Sequence, residues 1–179
     1  SRADLSDAII ISANLGQASL REAFLTGADL TGSDLRSADL VGADLTDAVL
    51  IDANLAHALL SRAMLGGSNL TGANLNKVDL ADANLSGAIL NDSKLIETNL
   101  SNADLSGADF SNARLIQANL RSAILERANL SDADLTNAIL RKANLKGADL
   151  SNTKLSGVDW SGTNLTEVDL SDSKIKKSH

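Results

Sequence analysis

Few side chains in this 179-residue sequence are suited to acid–base or nucleophilic chemistry. The only imidazoles are those of His57 and His179, and there is no cysteine. A histidine beside serine and aspartate is the arrangement that nucleophilic catalysis uses, and both of these partners occur throughout the chain. No segment predicts a pocket that would desolvate a base. We therefore predict no catalytic residue and no enzyme activity.

Carboxylates are abundant, and one set of them recurs every 40 residues. Its members are Asp52, Asp92, Asp132 and Asp172. A row of carboxylates is able to hold divalent cations, but basic residues follow two positions after Asp92 and Asp172 and would neutralise the row. The glycine-rich nonapeptide of calcium-binding repeats is missing. We predict no metal site and no bound cofactor, and interpret the row as part of a solvated face of mixed charge.

The chain is acidic, with a net charge of -7, and the acidity lies in its first half. Residues 1–90 hold five Lys or Arg against eleven Asp or Glu, whereas residues 91–179 hold eleven against twelve. This balance argues against direct binding of nucleic acid or anionic membranes. The longest aliphatic run, residues 8–11, is far shorter than the roughly 20 residues of a spanning helix. We predict a cytoplasmic bacterial protein with no membrane span, and leave open a leader or preceding domain.

A five-residue repeat determines how these side chains must be positioned. Of the 35 positions divisible by five, all are Leu except Ile10, Phe110, Trp160 and Ile175. Two residues earlier 25 of the 35 are Ala, and one residue earlier 22 are Asp or Asn. A helix would scatter these leucines round its circumference, and a flat strand would alternate them between two faces. A chain that turns one corner per repeat brings Leu and Ala together inside, in coils stacked about 4.8 Å apart.

The Ala-Asp/Asn-Leu pattern, as at 28–30 and 103–105, resembles the pentapeptide-repeat family over essentially the whole chain. The resemblance implies an all-β fold, a right-handed quadrilateral β-helix (solenoid) of about nine coils with four pentapeptides each. Members of the resembled family are often dimers, and most of them have no assigned biochemical activity. We assign residues 1–173 to a single solenoid and residues 174–179 to a basic tail.

The pattern changes over the atypical C-terminal coils, residues 153–175. No Ala remains at the inner position, while Trp160 and Ile175 replace leucines. Stacked coils leave open edges that invite aggregation unless they are covered. We therefore predict a cap, or a homodimer contact, at this end of the solenoid. Its predicted residues are Val158, Trp160, Val168 and Ile175.

Eight outward positions that usually hold Asp or Asn are apolar instead. They are Ile9, Phe24, Val49, Leu59, Met64, Ile89, Ile124 and Ile139. Single exposed apolar residues are normal, but a cluster of them would mark a partner site. With 20 residues per coil, Phe24 and Met64 share one column, and Ile9, Val49 and Ile89 share another. We predict that these five residues form a surface for an unidentified protein partner.

The functional prediction is a rigid, non-enzymatic scaffold for protein–protein interaction. One alternative is a DNA mimic that binds a type II topoisomerase such as gyrase, as some members of the resembled family do. Acidity and a rod shape suit this alternative, but residues 29, 34, 39 and 44 place one carboxylate on each of four successive sides, which is a ring and not a phosphate-like stripe. A second alternative is the repeat domain of a secreted effector or targeting protein.

The repeat also ranks single substitutions by the position they occupy. Leu85→Ala and Ala83→Leu fall at the two inward positions of one repeat and should both be destabilising. Asn76→Ser falls at a corner and is expected to change almost nothing.

Overall fold

Each pentapeptide folds into one short side and one tight corner. In the first repeat the N–H of Ala8 donates to the carbonyl oxygen of Leu5 at 3.1 Å, and Asp7 between them has a φ of 56°. Positive φ at the third residue of such a turn defines type II. In the computed structural model, which describes residues 3–174, every corner has a residue with positive φ at this place, and 24 of these residues are not glycine. The left-handed corner is therefore a property of the repeat.

The side of each coil is three residues long, and only its middle residue makes a β-bridge. Asp4 pairs in parallel with Phe24, and the same pairing across 20 residues continues as far as Lys154 with Lys174. Among residues 3–174 there is no helix and no longer strand. A register of 20 residues means that four pentapeptides complete one coil. The predicted all-β solenoid is confirmed, with isolated bridges in place of continuous strands.

The bridges run up the molecule in four ladders, which we call faces A to D in chain order. Face A runs from Asp4 to Asn164, face B from Ile9 to Asp169, face C from Asn14 to Lys174 and face D from Ser19 to Asp159. Because the four faces follow one another round each coil, face D lies opposite face B. Three backbone hydrogen bonds per repeat join neighbouring coils, as in the 2.7 Å bond from the N–H of Leu85 to the carbonyl of Asp104.

The core is a column of Leu and Ala that the four faces enclose. Leu45, Leu65 and Leu85 lie 20 residues apart in one column and are fully buried, and Ala83 beside Leu85 is buried as well. Phe110 takes the place of a leucine and is also fully buried. The two inward positions of the repeat therefore fill a narrow interior, as the five-residue period predicts.

Hydroxyl side chains replace alanine at five buried inner positions. These are Ser33, Ser68, Ser93, Thr98 and Thr153. Ser33 donates its hydroxyl to the carbonyl of Leu30 at 2.7 Å, and Thr98 donates to the carbonyl of Leu75 in the preceding coil at 2.6 Å. Within the described part of the chain, no buried polar side-chain atom lacks a hydrogen-bond partner. These residues therefore fit the core without an unpaired polar group.

The inner positions become less covered towards both ends of the described rod. At the C-terminal end Leu165 and Leu170 are 39% and 37% exposed. Val158, Trp160 and Val168 pack partly buried against the core, whereas Ile175 lies outside the described residues. Lys174 still pairs with Lys154, and the rest of the predicted basic tail is also outside them. The cap or dimer contact at this end stays a prediction.

Candidate protein-binding surface

The Asp or Asn before each central leucine accepts a backbone hydrogen bond from the corner that follows. In all 22 repeats with Asp or Asn here, the side-chain oxygen accepts the N–H of the residue two positions later. Asp149 accepts from Ser151 at 2.8 Å. This is an Asx turn, which satisfies the one N–H of the repeat that no backbone carbonyl reaches. Sequence reasoning missed this role, although the frequent Ser or Thr two residues after Asp was its signal.

The same bonds change the acidity of several outward carboxyls. The hydroxyl and N–H of Thr31 donate to Asp29 and lower its pKa. Side-chain and backbone hydrogen bonds from Arg36 lower the pKa of Asp34 to about 2. These two aspartates therefore stay ionised, and keep capping their corners as charged acceptors, to lower pH than an ordinary Asp.

The eight apolar outward residues cannot accept the corner N–H as Asp or Asn does. In the part of the chain that the structure describes, the corner N–H that follows each of them has no protein acceptor. Seven of the eight are large side chains that are 39% exposed or more, up to 81% for Ile9. Ile, Val and Phe suit a short extended side, but Leu59 and Met64 have no such preference. Each of these positions thus lacks an Asx cap, and all of them except the half-buried Val49 expose an apolar side chain.

Three of the five predicted partner residues lie on face B. Bridges join Ile9 to Asp29, Asp29 to Val49, Val49 to Asn69 and Asn69 to Ile89. The three apolar residues therefore stand two coils apart, as the 20-residue column predicts. They are separated along the face by a carboxylate and an amide.

The other two predicted residues lie on the neighbouring face A. Phe24 and Met64 flank Asp44 in the ladder, and Val41 at the adjacent corner closes the space between them. Together these residues line a shallow depression of about 260 Å³. Sequence reasoning missed Val41, although an apolar residue at a corner position that usually holds Ser, Thr or Gly was a visible signal. The five residues thus form two groups on adjacent faces.

The side chains considered for chemistry lie apart from both groups. His57 lines a shallow depression with Asn14, Asp34 and Arg36. Both oxygens of Asp34 accept hydrogen bonds from the guanidinium of Arg36, at 2.9 and 2.6 Å, so this carboxylate is already engaged. Among residues 3–174 no group of three acidic or histidine side chains is placed to hold a metal ion, and no helix is long and apolar enough to cross a membrane.

Asn76, at a corner position, caps a corner of the next coil. Its side-chain oxygen accepts the N–H of Ile96 in the next coil at 2.9 Å. Lys94, which precedes that corner, has no side-chain acceptor to do so. The expectation that Asn76→Ser is silent is therefore no longer supported, because the shorter side chain withdraws this acceptor.

The repeat pattern matches a known family along its whole length. Eight copies of the pentapeptide repeat match, in segments that together span residues 1–179. The chain belongs to the pentapeptide-repeat family. No curated protein sequence matches this pentapeptide-repeat chain.

Two solved pentapeptide-repeat structures extend the comparison. HetL from the cyanobacterium Nostoc sp. strain PCC 7120, described as involved in the regulation of heterocyst differentiation, is 31% identical over 97% of this chain and 90% of its own, with a TM-score of 0.57. Full-length QnrB1, a plasmid-mediated fluoroquinolone resistance protein, is 22% identical over 99% of this chain and 87% of its own, with a TM-score of 0.80. At that identity, the likeness to QnrB1 is one of fold.

Proposed function

We propose that this pentapeptide-repeat protein is a rigid, non-enzymatic scaffold that binds a protein partner. A right-handed rod of about nine coils belongs to the same proposal. The observation that carries it is the set of eight apolar side chains, seven exposed and Val49 half-buried, at positions where Asp or Asn would cap the corner. Six of the eight lie in residues 1–90, the half that also carries the excess of acidic residues.

Free energy favours covering these residues. Each leaves apolar surface in water, worth roughly 25 cal/mol per Å² when it is buried. Because the corner N–H that follows each of them has no protein acceptor among the described residues, a partner that covers this N–H has to supply one. A partner that buries several of these side chains gains the free energy of apolar burial at each contact. The continuous core beneath holds the contacts at fixed spacing, so little conformational entropy is lost on binding.

Gyrase mimicry has weaker support. The acids of the densest run, on faces B, C, D and A in turn, have no acidic neighbour in the ladder, because Asp29 bridges to Val49, Asp34 to Asn54, Asp39 to Leu59 and Asp44 to Met64. A stripe of charge along the rod would require acids stacked in one ladder. The apolar neighbours of three of these acids, Val49, Leu59 and Met64, favour apolar contacts with a partner over a purely electrostatic match.

Affinity capture with the full chain tests the scaffold role. Phe24→Asp and Met64→Asp place a carboxylate that can accept the corner N–H, so the fold should persist with an unchanged far-UV spectrum. We expect wild-type protein and an Ile139→Asp control on face D to retain a specific partner that Phe24→Asp loses. Retention of every partner by both face A variants would contradict this surface, and the absence of any specific partner would contradict the scaffold.

Titration of DNA gyrase with this protein distinguishes the DNA-mimic alternative from the scaffold. We expect no inhibition of supercoiling at tens of micromolar protein. Inhibition in that range would contradict the scaffold proposal in favour of mimicry.

A further inference from the structure

We propose that face B, over the first six coils, binds a basic amphipathic α-helix of the partner. This inference rests on the proposed scaffold function and names the chemistry of the partner that face B accepts.

Apolar side chains on face B are arranged in rungs that alternate with polar ones. We define a rung as the bridge residue of face B together with the corner residue two positions later. Ile9 with Ile11 and Val49 with Ile51 are apolar rungs, and Ile89 continues the series. Ile11 is 52% exposed, so the apolar character extends from the bridge position on to the corner. The sequence prediction included the bridge positions but not Ile11 and Ile51.

The polar rungs between them are internally hydrogen bonded. Asp29 accepts both the N–H and the hydroxyl of Thr31, at 3.0 and 2.6 Å, and Asn69 accepts the same two groups of Thr71 at 3.0 and 2.7 Å. A partner that lies over these rungs therefore leaves few polar groups without hydrogen bonds. Asp29 nevertheless carries a negative charge at neutral pH, and the Thr31 hydrogen bonds lower its pKa below the ordinary value.

Charge on this part of face B is of one sign. Between residues 6 and 112, face B and the two corners that flank it contain no Lys, Arg or His. They contain six acids, which are Asp7, Asp29, Asp47, Asp52, Asp92 and Asp109. Basic side chains do occur on other faces and corners of the same coils, as at Arg36 and Lys77. The surface is therefore complementary to a partner rich in Lys and Arg, and such complementarity raises association rates and selects against acidic partners.

The spacing of the apolar rungs fits an α-helix. Rungs two coils apart are separated by about 9.6 Å, and residues seven apart on a helix by about 10.5 Å. A tilt of roughly 20–25° between helix and rod brings the two spacings into register. An extended strand has same-side residues about 6.6 or 13.2 Å apart and does not match.

Polyproline II matches the spacing at about 9.3 Å but is recognised by aromatic grooves. Over these coils the only aromatic side chain on face B is Phe110, which is buried in the core. The absence of an exposed aromatic groove favours the helix.

The corner between faces A and B leaves space for a helix to approach. Gly27, Gly67, Gly87 and Gly107 occupy its left-handed position, where other repeats carry a side chain. A Cβ built on Gly87 or Gly107 would meet no atom within 4 Å, so the corner is open in coils five and six. At Gly27 and Gly67 the carboxylates of Asp7 and Asp47 already occupy this space. A helix about 10 Å wide can therefore approach the rungs past an open corner in coils five and six, and past the two carboxylates, which suit its basic side chains, in the earlier coils.

A synthetic helical peptide is the probe for this surface. It has about three heptads, with Leu at heptad spacing and Lys or Arg facing the acids, and its binding to the full chain is followed by fluorescence anisotropy. We expect Val49→Asn to weaken binding by about tenfold or more, because the central apolar contact is lost. Ile139→Asn on face D is the matched control and should bind within about twofold of wild type. Each Asn can accept its corner N–H, so both variants should fold.

A charge variant tests the electrostatic contribution separately. Asp29→Asn with Asp109→Asn keeps both oxygen acceptors for the corner N–H groups and removes two negative charges. We expect weaker binding at about 50 mM salt, and a smaller difference from wild type at about 500 mM salt.

Three results of the peptide experiment would overturn the proposal. They are equal binding by Val49→Asn and wild type, equal binding of a peptide of the same composition with scrambled spacing, and tighter binding of a proline-rich basic peptide. Capture of a cellular partner that is sensitive to Phe24→Asp but not to Val49→Asn would overturn the face B inference and leave the scaffold role intact. Peptide binding as expected without any captured cellular partner would contradict the scaffold role alone.

Discussion

At the scale of the residue, the five positions of the pentapeptide have separate structural roles. Two of them fill the core, one accepts the corner N–H and two make the type II turn. Asp149 shows why the outward acceptor is preferred, because its oxygen lies 2.8 Å from the N–H of Ser151. The alternative acceptor is water, so the gain is that of one net hydrogen bond and not of a buried polar pair.

Removing one such acceptor should have a measurable effect. We expect Asp149→Ala to lower the free energy of unfolding by roughly 0.5–1.5 kcal/mol, as for other single hydrogen bonds. Asp149→Asn keeps the acceptor and is the control, with an expected change below about 0.5 kcal/mol. Urea unfolding followed by circular dichroism measures both. Equal losses in the two variants would show that the carboxylate acts through its charge and not as a turn cap.

At the scale of the element, a single side of a coil combines a small and a large inward residue. Ala83 and Leu85 come from the same side, and both are buried. Because coils stack at a fixed distance, the interior cannot widen locally without breaking the backbone bonds between coils. The small side chain is therefore as necessary to the packing as the large one.

Paired substitutions test this constraint. We expect Leu85→Ala to cost about 2–5 kcal/mol through the cavity it leaves, and Ala83→Leu to cost at least as much through overpacking against adjacent coils. Thr46→Ser at an outward corner is the control and should stay within about 0.5 kcal/mol of wild type. Thermal and urea unfolding provide the values. A cost below about 1 kcal/mol for Ala83→Leu would mean that the interior is wider than the buried alanines indicate.

The sequence predicts the elements better than it predicts the site. The five-residue period requires Leu85 and Ala83 to point inward, and resemblance to the family supplies the four sides. The Asx turns are less visible, because a polar residue on a surface needs no special reason to be there. The depression that Val41 lines together with Phe24 and Met64 depends on how a corner projects between two faces, which no periodic pattern specifies.

At the scale of the whole molecule, the rod is quasi-one-dimensional. Each coil contacts only its neighbours, so stability is approximately a sum over coils and their interfaces. The core positions are nearly identical in all repeats, whereas the outward positions differ from face to face. Core and surface are therefore independent: the period of five maintains the fold, and the period of 20 decides which outward residues share a face.

Deleting one pentapeptide separates these two periods. Removal of residues 56–60 keeps the inward pattern intact but turns every later coil by one side, which moves Ile89 from face B to face A while Ile9 and Val49 remain. Removal of residues 116–120 turns only the coils that follow the last rung, so all the rungs stay on face B. This deletion is the matched control. We expect both proteins to fold with similar thermal midpoints, and only the first deletion to weaken binding of the basic helical peptide, by about tenfold. If the two deletions bind the peptide equally, alignment of the rungs along one face is not what the helix recognises.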